Sequence, residues 1–360
     1  MKFKLAATLL VLTVLFSQKV SACTGILLNS TNDSIVTGRT VEFAKKLDMS
    51  VAVVPRNFQF VGQTPNGEGL TYTSKYGYAG IYCFNNKAIM DGMNEKGLVA
   101  AAFFFPGYAG YKPTTTQNQK NSISPVDFTN WILSQFSTIE EILSAISSVD
   151  IAPTVLEGWG SSPPPLHYVI YDSTGKSIVI EPINGELIVY DNLIGSMTNS
   201  PTFDWHVTNL NNYINLSTYN AKPLTVRGQK LEILGQGSGL NGLPGSFSST
   251  SRFVRSSIFS VNAIPPTNAR ELPNQVFHIL NQFDIPVGSV RENDQGTLSL
   301  DSTQVTLVKD PNTLRYYFKS YSDQTIRYID LQEFNLNANS MKTFLIQGNQ
   351  VNIDVSNLLQ

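Results

Sequence analysis

The sequence predicts an α+β fold, and three observations carry that reading. Strand-like runs open and close the chain, segments of helical periodicity lie between and after them, and the two kinds do not alternate as strict βαβ units would. Several strand runs are apolar on both faces, as strands covered by layers are. Sheets packed on one another and covered by helices satisfy all three.

Taken in chain order, residues 1–22 carry two early lysines, an apolar run over 5–16 and then Val20-Ser21-Ala22, with small residues where a signal peptidase requires them. The apolar run is roughly a dozen residues, short of the ~20 that a membrane span needs. Residues 1–22 therefore read as a cleaved export signal, and 23–360 as one domain of a soluble periplasmic or secreted protein. Residues 24–28 and 34–39 are strand-like, and the turn chemistry of 29–33 joins them into a hairpin that begins at Cys23. Further strands are expected at 50–55, 97–105, 166–172, 177–181 and 187–190, with Ser173-Thr174-Gly175-Lys176 as the turn joining the third and fourth.

Helices are expected at 124–136, where Ser124-Pro125 suits a helix start, and at 139–148, where Ser137 and Glu140 fit a capping box. Later helices fall at 205–213, 251–261 and 269–283, and a last group of strands at 304–309, 314–321 and 324–331.

Charge is sparse and balanced, with a net value of −2. No basic stripe suggests nucleic acid and no acidic arm suggests a solvating tail, so the expected partner is a small molecule. His167, His206 and His278 are scattered without metal-ligand spacing and read as hydrogen-bonded structural residues, so neither a metal nor another cofactor is expected. The glycine-rich segment 235–245 lacks the lysine of a phosphate loop and reads as a structural or subunit-contact loop. Neither a Gly-x-Ser-x-Gly elbow nor a His-Glu-x-x-His pair is present.

The chemistry points to Cys23, one of two cysteines. Cleavage after Ala22 would leave its thiol and a free α-amine on one residue, and that amine, with an ordinary pKa of about 7.7–8.0, is a base suited to generating the thiolate. Two other uses fit the same residues. An exported protein can pair Cys23 with Cys83 in a disulfide, and Val20-Ser21-Ala22-Cys23 also fits a lipobox whose cysteine is lipidated. In either of those cases the protein would be a non-catalytic exported protein.

Five runs then resemble one family in order and spacing: Cys23-Thr24-Gly25; Gly38-Arg39-Thr40-Val41-Glu42-Phe43; Asp91-Gly92-Met93-Asn94-Glu95-Lys96-Gly97-Leu98; Thr198-Asn199-Ser200-Pro201-Thr202-Phe203-Asp204-Trp205; and Ser251-Arg252-Phe253. They are similar to the choloylglycine hydrolase family, the conjugated bile acid hydrolases and penicillin V acylases of the N-terminal nucleophile superfamily. That resemblance implies a four-layer αββα fold, exposure of the cysteine by autocatalysis or signal peptidase, and hydrolysis of a non-peptide amide through a thioester. Conjugated bile acids are the expected substrates, with penicillin V or an acyl-homoserine lactone as the alternative. It also implies a homo-oligomer, a tetramer or a dimer.

Carried onto this chain, the resemblance makes Cys23 the nucleophile and places Arg39 against its sulfur. Asn199 would donate to the developing oxyanion, with the Phe104 backbone N–H as second donor. Arg252 would orient substrate or the active-site carboxylate. Glu42 stands where the family generally has aspartate, which adds a methylene to the group expected to hold the α-amine. Phe104 stands where the relatives generally have asparagine or tyrosine, and Phe103, Phe104 and Phe105 are expected to line an acyl pocket.

Overall fold

The computed structural model describes residues 22–31, 34–294 and 296–359. The expected export signal lies outside the described residues apart from Ala22. Two sheets face each other. The first has five antiparallel strands in the order Cys23–Asn29 (β1), Ile35–Glu42 (β2), Thr303–Asp310, Arg315–Ser320 and Asp323–Asp330. The second has eight, in the order Glu186–Asp191, Ser177–Ile183, Leu166–Tyr171, Val99–Phe104, Ala88–Asn94, Tyr78–Cys83, Ser50–Val54 and Lys342–Leu345.

Side chains from both sheets share one buried core, in which Val41, Val305 and Leu307 of the first lie among Ile81, Met93 and Ala101 of the second. Helices cover the outer faces. Helix α1 (Phe128–Gln135) and the shorter α2 (Ile139–Ala145) belong with the eight-stranded sheet, whereas α4 (Ser249–Asn262) and α5 (Leu272–Leu280) lie on β1 and β2; α3 (Phe203–Asn209) sits between these groups in the chain. This is the α+β, four-layer arrangement expected.

The layers stay together for local reasons. Helix α5 places Leu272, Val276, Phe277 and Leu280 at helical spacing and buries them against Ile26, Leu28, Val36 and Val308. Each such side chain is worth about 1.5–3 kcal/mol when fully buried. Gly38 permits the contact, since a Cβ there would lie 2.5 Å from Val276 Cγ1 and 2.8 Å from Leu280 Cδ1. Between the sheets, Asp91 accepts from Lys309 Nζ and from Tyr316 OH, both at 2.8 Å, tying the second sheet to the first through a buried ion pair. Three residues later Asn94 donates to the carbonyls of Leu133 and Phe136 at 2.9 and 2.7 Å, which closes the end of α1.

Element boundaries follow the expectations with some corrections. Helix α2 is capped one residue later than expected: Thr138 accepts from Glu141 N at 3.3 Å while Glu141 accepts from Ser137 N at 2.7 Å, so Glu141 and not Glu140 closes the box. Helix α1 starts at Phe128 because Ser124-Pro125-Val126-Asp127 forms a turn held by Ser124 Oγ donating to Asp127 at 2.7 Å. The strands Gln59–Thr64, Gly67–Thr73, Tyr78–Cys83 and Ala88–Asn94, and the hairpin Val290–Asp294 with Thr297–Asp301, are additional to those expected.

Candidate active site

Cys23 opens β1 and pairs with Val41 of β2, while Gly25 pairs with Arg39. Alternation along the strands then sorts the side chains. Cys23, Arg39 and Val41 point between the sheets; Thr24, Thr40 and Glu42 point toward the helices. The cysteine sulfur and its backbone nitrogen thus meet different sets of groups.

On the inner side, Arg39 is fully buried, with its guanidinium 3.9 Å above the Phe103 ring. Its Nη1 donates to the carbonyls of Ala102 at 2.7 Å and Met90 at 3.0 Å. Among the described residues no carboxylate pairs with it, and among charged groups Arg39 does most to favour the Cys23 thiolate. Burial is the larger effect and holds the thiol above its ordinary value; Glu42 adds to that rise and Arg252 opposes it.

On the helix side, Arg252 rises from the first turn of α4, whose N-cap Ser248 accepts from Ser251 N. It is buried, and it donates from Nη1 to the Cys23 carbonyl and to Thr24 Oγ1, the latter at 2.9 Å. Its Nη2 donates to Asn199 Oδ1 at 2.8 Å, and the same oxygen accepts from the Cys23 backbone nitrogen at 2.7 Å. Two donors on Oδ1 fix the amide's orientation, and its Nδ2 faces and donates to the Phe104 carbonyl at 2.8 Å. One N–H of Nδ2 is left for a further acceptor.

Phe105 N donates to the Pro165 carbonyl at 2.8 Å on the side of the neighbouring strand. Alternation directs the Phe104 N–H to the opposite edge, the edge on which its carbonyl meets Asn199. The backbone of Phe104 and the amide of Asn199 therefore converge on one side of Cys23. His206, expected to be structural, holds this piece: its Nε2 lies 2.8 Å from the Asn199 carbonyl and its ring stacks on Phe253. Burial lowers its pKa to about 4, so it is neutral and donates from Nε2.

Glu42 ends β2 in full burial. Thr303 Oγ1 donates to its Oε1 at 2.8 Å, and its backbone nitrogen donates to the Ala22 carbonyl at 3.0 Å. Burial pushes the carboxyl up to about 8, against the pull of Arg252.

A small cleft of about 20 Å³ opens at Cys23, walled by Phe43, Leu47, Phe84, Met90, Phe104 and Trp159. Trp159 is its hub, with ring centroids 5.4, 5.9 and 5.7 Å from Phe43, Phe84 and Phe104. It sits on the loop before Leu166 between Gly158 and Gly160, a run of turn residues whose lone large apolar side chain was the signal that sequence reasoning passed over. The expected acyl wall is corrected on two counts. Only Phe104 lines the cleft; Phe103 lies beneath Arg39, and Phe105 stacks on His167 at 4.1 Å, because alternate residues of a strand face opposite ways.

His167 bridges Glu181 and the Thr198 carbonyl, so it is structural as expected. Cys83 and Cys23 are both free thiols, so the disulfide alternative is not formed. Among the described residues no cluster of His, Cys, Asp and Glu is arranged to hold a metal.

A buried thiol at the head of a strand, an arginine inside the sandwich and amide donors on the far side suit attack on a carbonyl carbon followed by acyl transfer. The fold and this arrangement define an amide hydrolase of the N-terminal nucleophile type. Residues 23–344 match the family model described as linear amide C–N hydrolases, choloylglycine hydrolase family, and the chain belongs to that family. It is 35% identical over 325 residues to a bile salt hydrolase/transferase of Clostridium perfringens, covering 89% of this chain and 96% of that one. It superposes on a mutant of the conjugated bile acid hydrolase of the same organism with a TM-score of 0.82 at 34% identity, covering 93% and 100% of the two chains. A penicillin V acylase of Agrobacterium tumefaciens, at 23% identity with 92% and 94% covered, shares the fold with a TM-score of 0.73.

Proposed function

We propose that the protein is exported, processed to begin at Cys23, and cleaves the amide bond of conjugated bile acids. The observation that carries this is the hydrogen bond from the Cys23 backbone nitrogen to Asn199 Oδ1 at 2.7 Å, which anchors the nitrogen of the nucleophile's own residue beside the groups that would bind an oxyanion. Once residues 1–22 are removed, that nitrogen is an amine and takes the thiol proton. The sulfur attacks the substrate carbonyl, and the oxyanion accepts from the second Nδ2 N–H of Asn199 and from the Phe104 N–H. Collapse expels the amine, which leaves with the proton held by the Cys23 nitrogen. Water then hydrolyses the thioester with the α-amine as base. Arg39 favours the thiolate, Arg252 holds Asn199, and Glu42 faces the ammonium.

The bile acid assignment is supported by the bile salt hydrolase relative at 35% identity. A second reading, penicillin V, is favoured by the four aromatic rings of Phe43, Phe84, Phe104 and Trp159 around the cleft, which suit a flat aromatic acyl group. We also read the protein as a homo-oligomer, because residues 210–245 expose Ile214, Tyr219, Leu224 and Leu234 on one extended segment. Processed protein, verified by mass to begin at Cys23, tests the assignment when supplied with glycine- and taurine-conjugated bile acids and with penicillin V. Release of glycine or taurine is the expected result; no release from any of the conjugates would overturn the bile acid assignment.

A further inference from the structure

A second buried carboxyl faces Glu42 and Arg252, the two charged groups that act on the nucleophile from the helix side. Asp301 ends the strand Thr297–Asp301 at 3% exposure, and neither of its side-chain oxygens has a hydrogen-bond partner among the described residues. The Ser302 amide lies nearby outside hydrogen-bond geometry. A buried carboxyl left without a partner is expensive unless a charge or donor answers it.

Its position tells which charge that is. Ser302 accepts from Phe43 N at 3.3 Å, and Thr303 donates its hydroxyl to Glu42 at 2.8 Å, so the segment 301–303 runs along the end of β2 beside Cys23. The groups facing Asp301 are Arg252 from α4, Glu42 from β2 and Glu292 from the partner strand of its hairpin. Asp284 reaches Thr303 and faces Lys319. Arg252 is the cation nearest in effect to both Glu42 and Asp301, and among its charged neighbours Glu42 counts first, Cys23 next and Asp301 third. Yet every acceptor of the Arg252 guanidinium found among the described residues is neutral: the carbonyls of Phe247 and Cys23, the Thr24 hydroxyl and Asn199 Oδ1. Its charge faces the two acids across space, with no direct ion pair to it among the described residues.

We propose that Asp301 is a positioning residue of the amidase, the second carboxyl of a Glu42–Arg252–Asp301 layer that stabilises the proton on the Cys23 amine. This rests on the proposed use of Cys23 as N-terminal nucleophile. Transfer of the thiol proton to the amine creates a thiolate and an ammonium on one residue. Arg39 answers the first from inside the sandwich, whereas the second arises in a layer that already holds Arg252. Two carboxyls there offset two cations; Glu42 alone would leave one uncompensated. Burial holds Asp301 at about 7 and Glu42 at about 8, so the pair takes up its negative charge near neutral pH.

The sign of the effect follows. Replacing Asp301 by a neutral residue removes a negative charge, which lowers the pKa of the amine, of the thiol and of Glu42 together. The test uses processed protein beginning at Cys23, as Asp301→Asn, Asp301→Ser and Asp301→Glu beside the unaltered chain. Two profiles are taken against pH: kcat/KM for a conjugated bile acid, and the rate of Cys23 alkylation by iodoacetamide. In Asp301→Asn and Asp301→Ser both profiles are expected to move to lower pH by about one pH unit, with kcat reduced and KM little changed, while Asp301→Glu stays with the unaltered chain. Neutral variants whose profiles superpose on the unaltered one, or a glutamate variant that moves with them, would overturn the proposal. Alkylation needs no substrate, so failure of the bile acid assignment appears as absent hydrolysis in the unaltered chain while the alkylation profiles still decide the role of Asp301.

Discussion

Arg252 donates from Nη2 to Asn199 Oδ1 at 2.8 Å, a contact that turns the other end of the amide toward the Phe104 carbonyl. Asn199 thereby couples the helix side of the site to the oxyanion side. Asn199→Ala is expected to lower kcat by about 10²–10³-fold, the usual effect of losing one oxyanion donor. It should also destabilise the fold by about 1–3 kcal/mol, because Arg252 Nη2 and the Cys23 nitrogen lose their shared acceptor. Steady-state kinetics together with denaturant unfolding check both; normal turnover with weakened binding would remove Asn199 from the oxyanion site.

Retention of Ala22 should abolish activity while leaving the fold intact. Ala22 is buried and its carbonyl already accepts from Glu42 N at 3.0 Å, so the uncut chain fits the structure, but an amide nitrogen cannot accept the thiol proton. Hydrolysis and thermal melting of cut and uncut protein compare the two. Cys23→Ala should be inactive in either form. Cys83→Ala should remain active, since burial pushes the Cys83 thiol up to about 12 and nothing nearby lowers it.

Stability of the uncut chain should fall as pH rises through neutrality. Glu42 is raised from 4.5 to about 8 and Asp301 from 3.8 to about 7, in both cases chiefly by burial. Acids raised in this way contribute stability that is fully present below their unfolded values and is lost as pH climbs through the folded ones. Melting temperatures recorded from pH 5 to pH 9 should decline, and Glu42→Gln should flatten the decline by about 2 °C or more at the alkaline end. A parallel decline in both proteins would show that Glu42 stays ionised throughout.

The three neighbouring phenylalanines should behave differently. Phe104→Asn is expected to raise activity on conjugated bile acids relative to penicillin V, because it removes one ring from the aromatic wall at Cys23. Phe103→Ala should instead unfold more easily, by about 3–5 kcal/mol, since its ring is fully buried under Arg39. Relative rates on the two substrates and urea midpoints separate the outcomes, and unchanged relative rates in Phe104→Asn would take that side chain out of the acyl pocket.

Trp159→Ala should favour bulky acyl groups. The cleft at Cys23 is about 20 Å³, far below the roughly 300 Å³ of an ordinary ligand pocket, and Trp159 closes it from a loop flanked by glycines. The measurement is the ratio of kcat/KM for a steroid amide to that for a small phenoxyacetyl amide, which should rise; a falling ratio would mean that Trp159 carries the steroid instead of excluding it.

The sequence alone determined the chemical type of the protein. Cys23 behind Ser21-Ala22 is a short linear signal that suggests an N-terminal nucleophile, and the arginine at 39, the Asn199 run and Arg252 joined it through their resemblance, in order and spacing, to the choloylglycine hydrolase family. Hairpins and long amphipathic helices were legible for a related reason: their pattern is written in consecutive residues, as in the β1–β2 pair and α5. Tertiary structure decided the rest. Asp301 is distant in sequence from both Glu42 and Arg252, and nothing in Leu300-Asp301-Ser302 marks it until the strand pairing of Thr303 with Glu42 brings it to the site. Which of Phe103, Phe104 and Phe105 faces Cys23 depends on the strand's register, a property of its neighbours and not of the run itself. Trp159 and His206 are the same case: their partners are supplied by other strands and helices, and side chains that meet only across the fold leave no period or spacing in the sequence to be read.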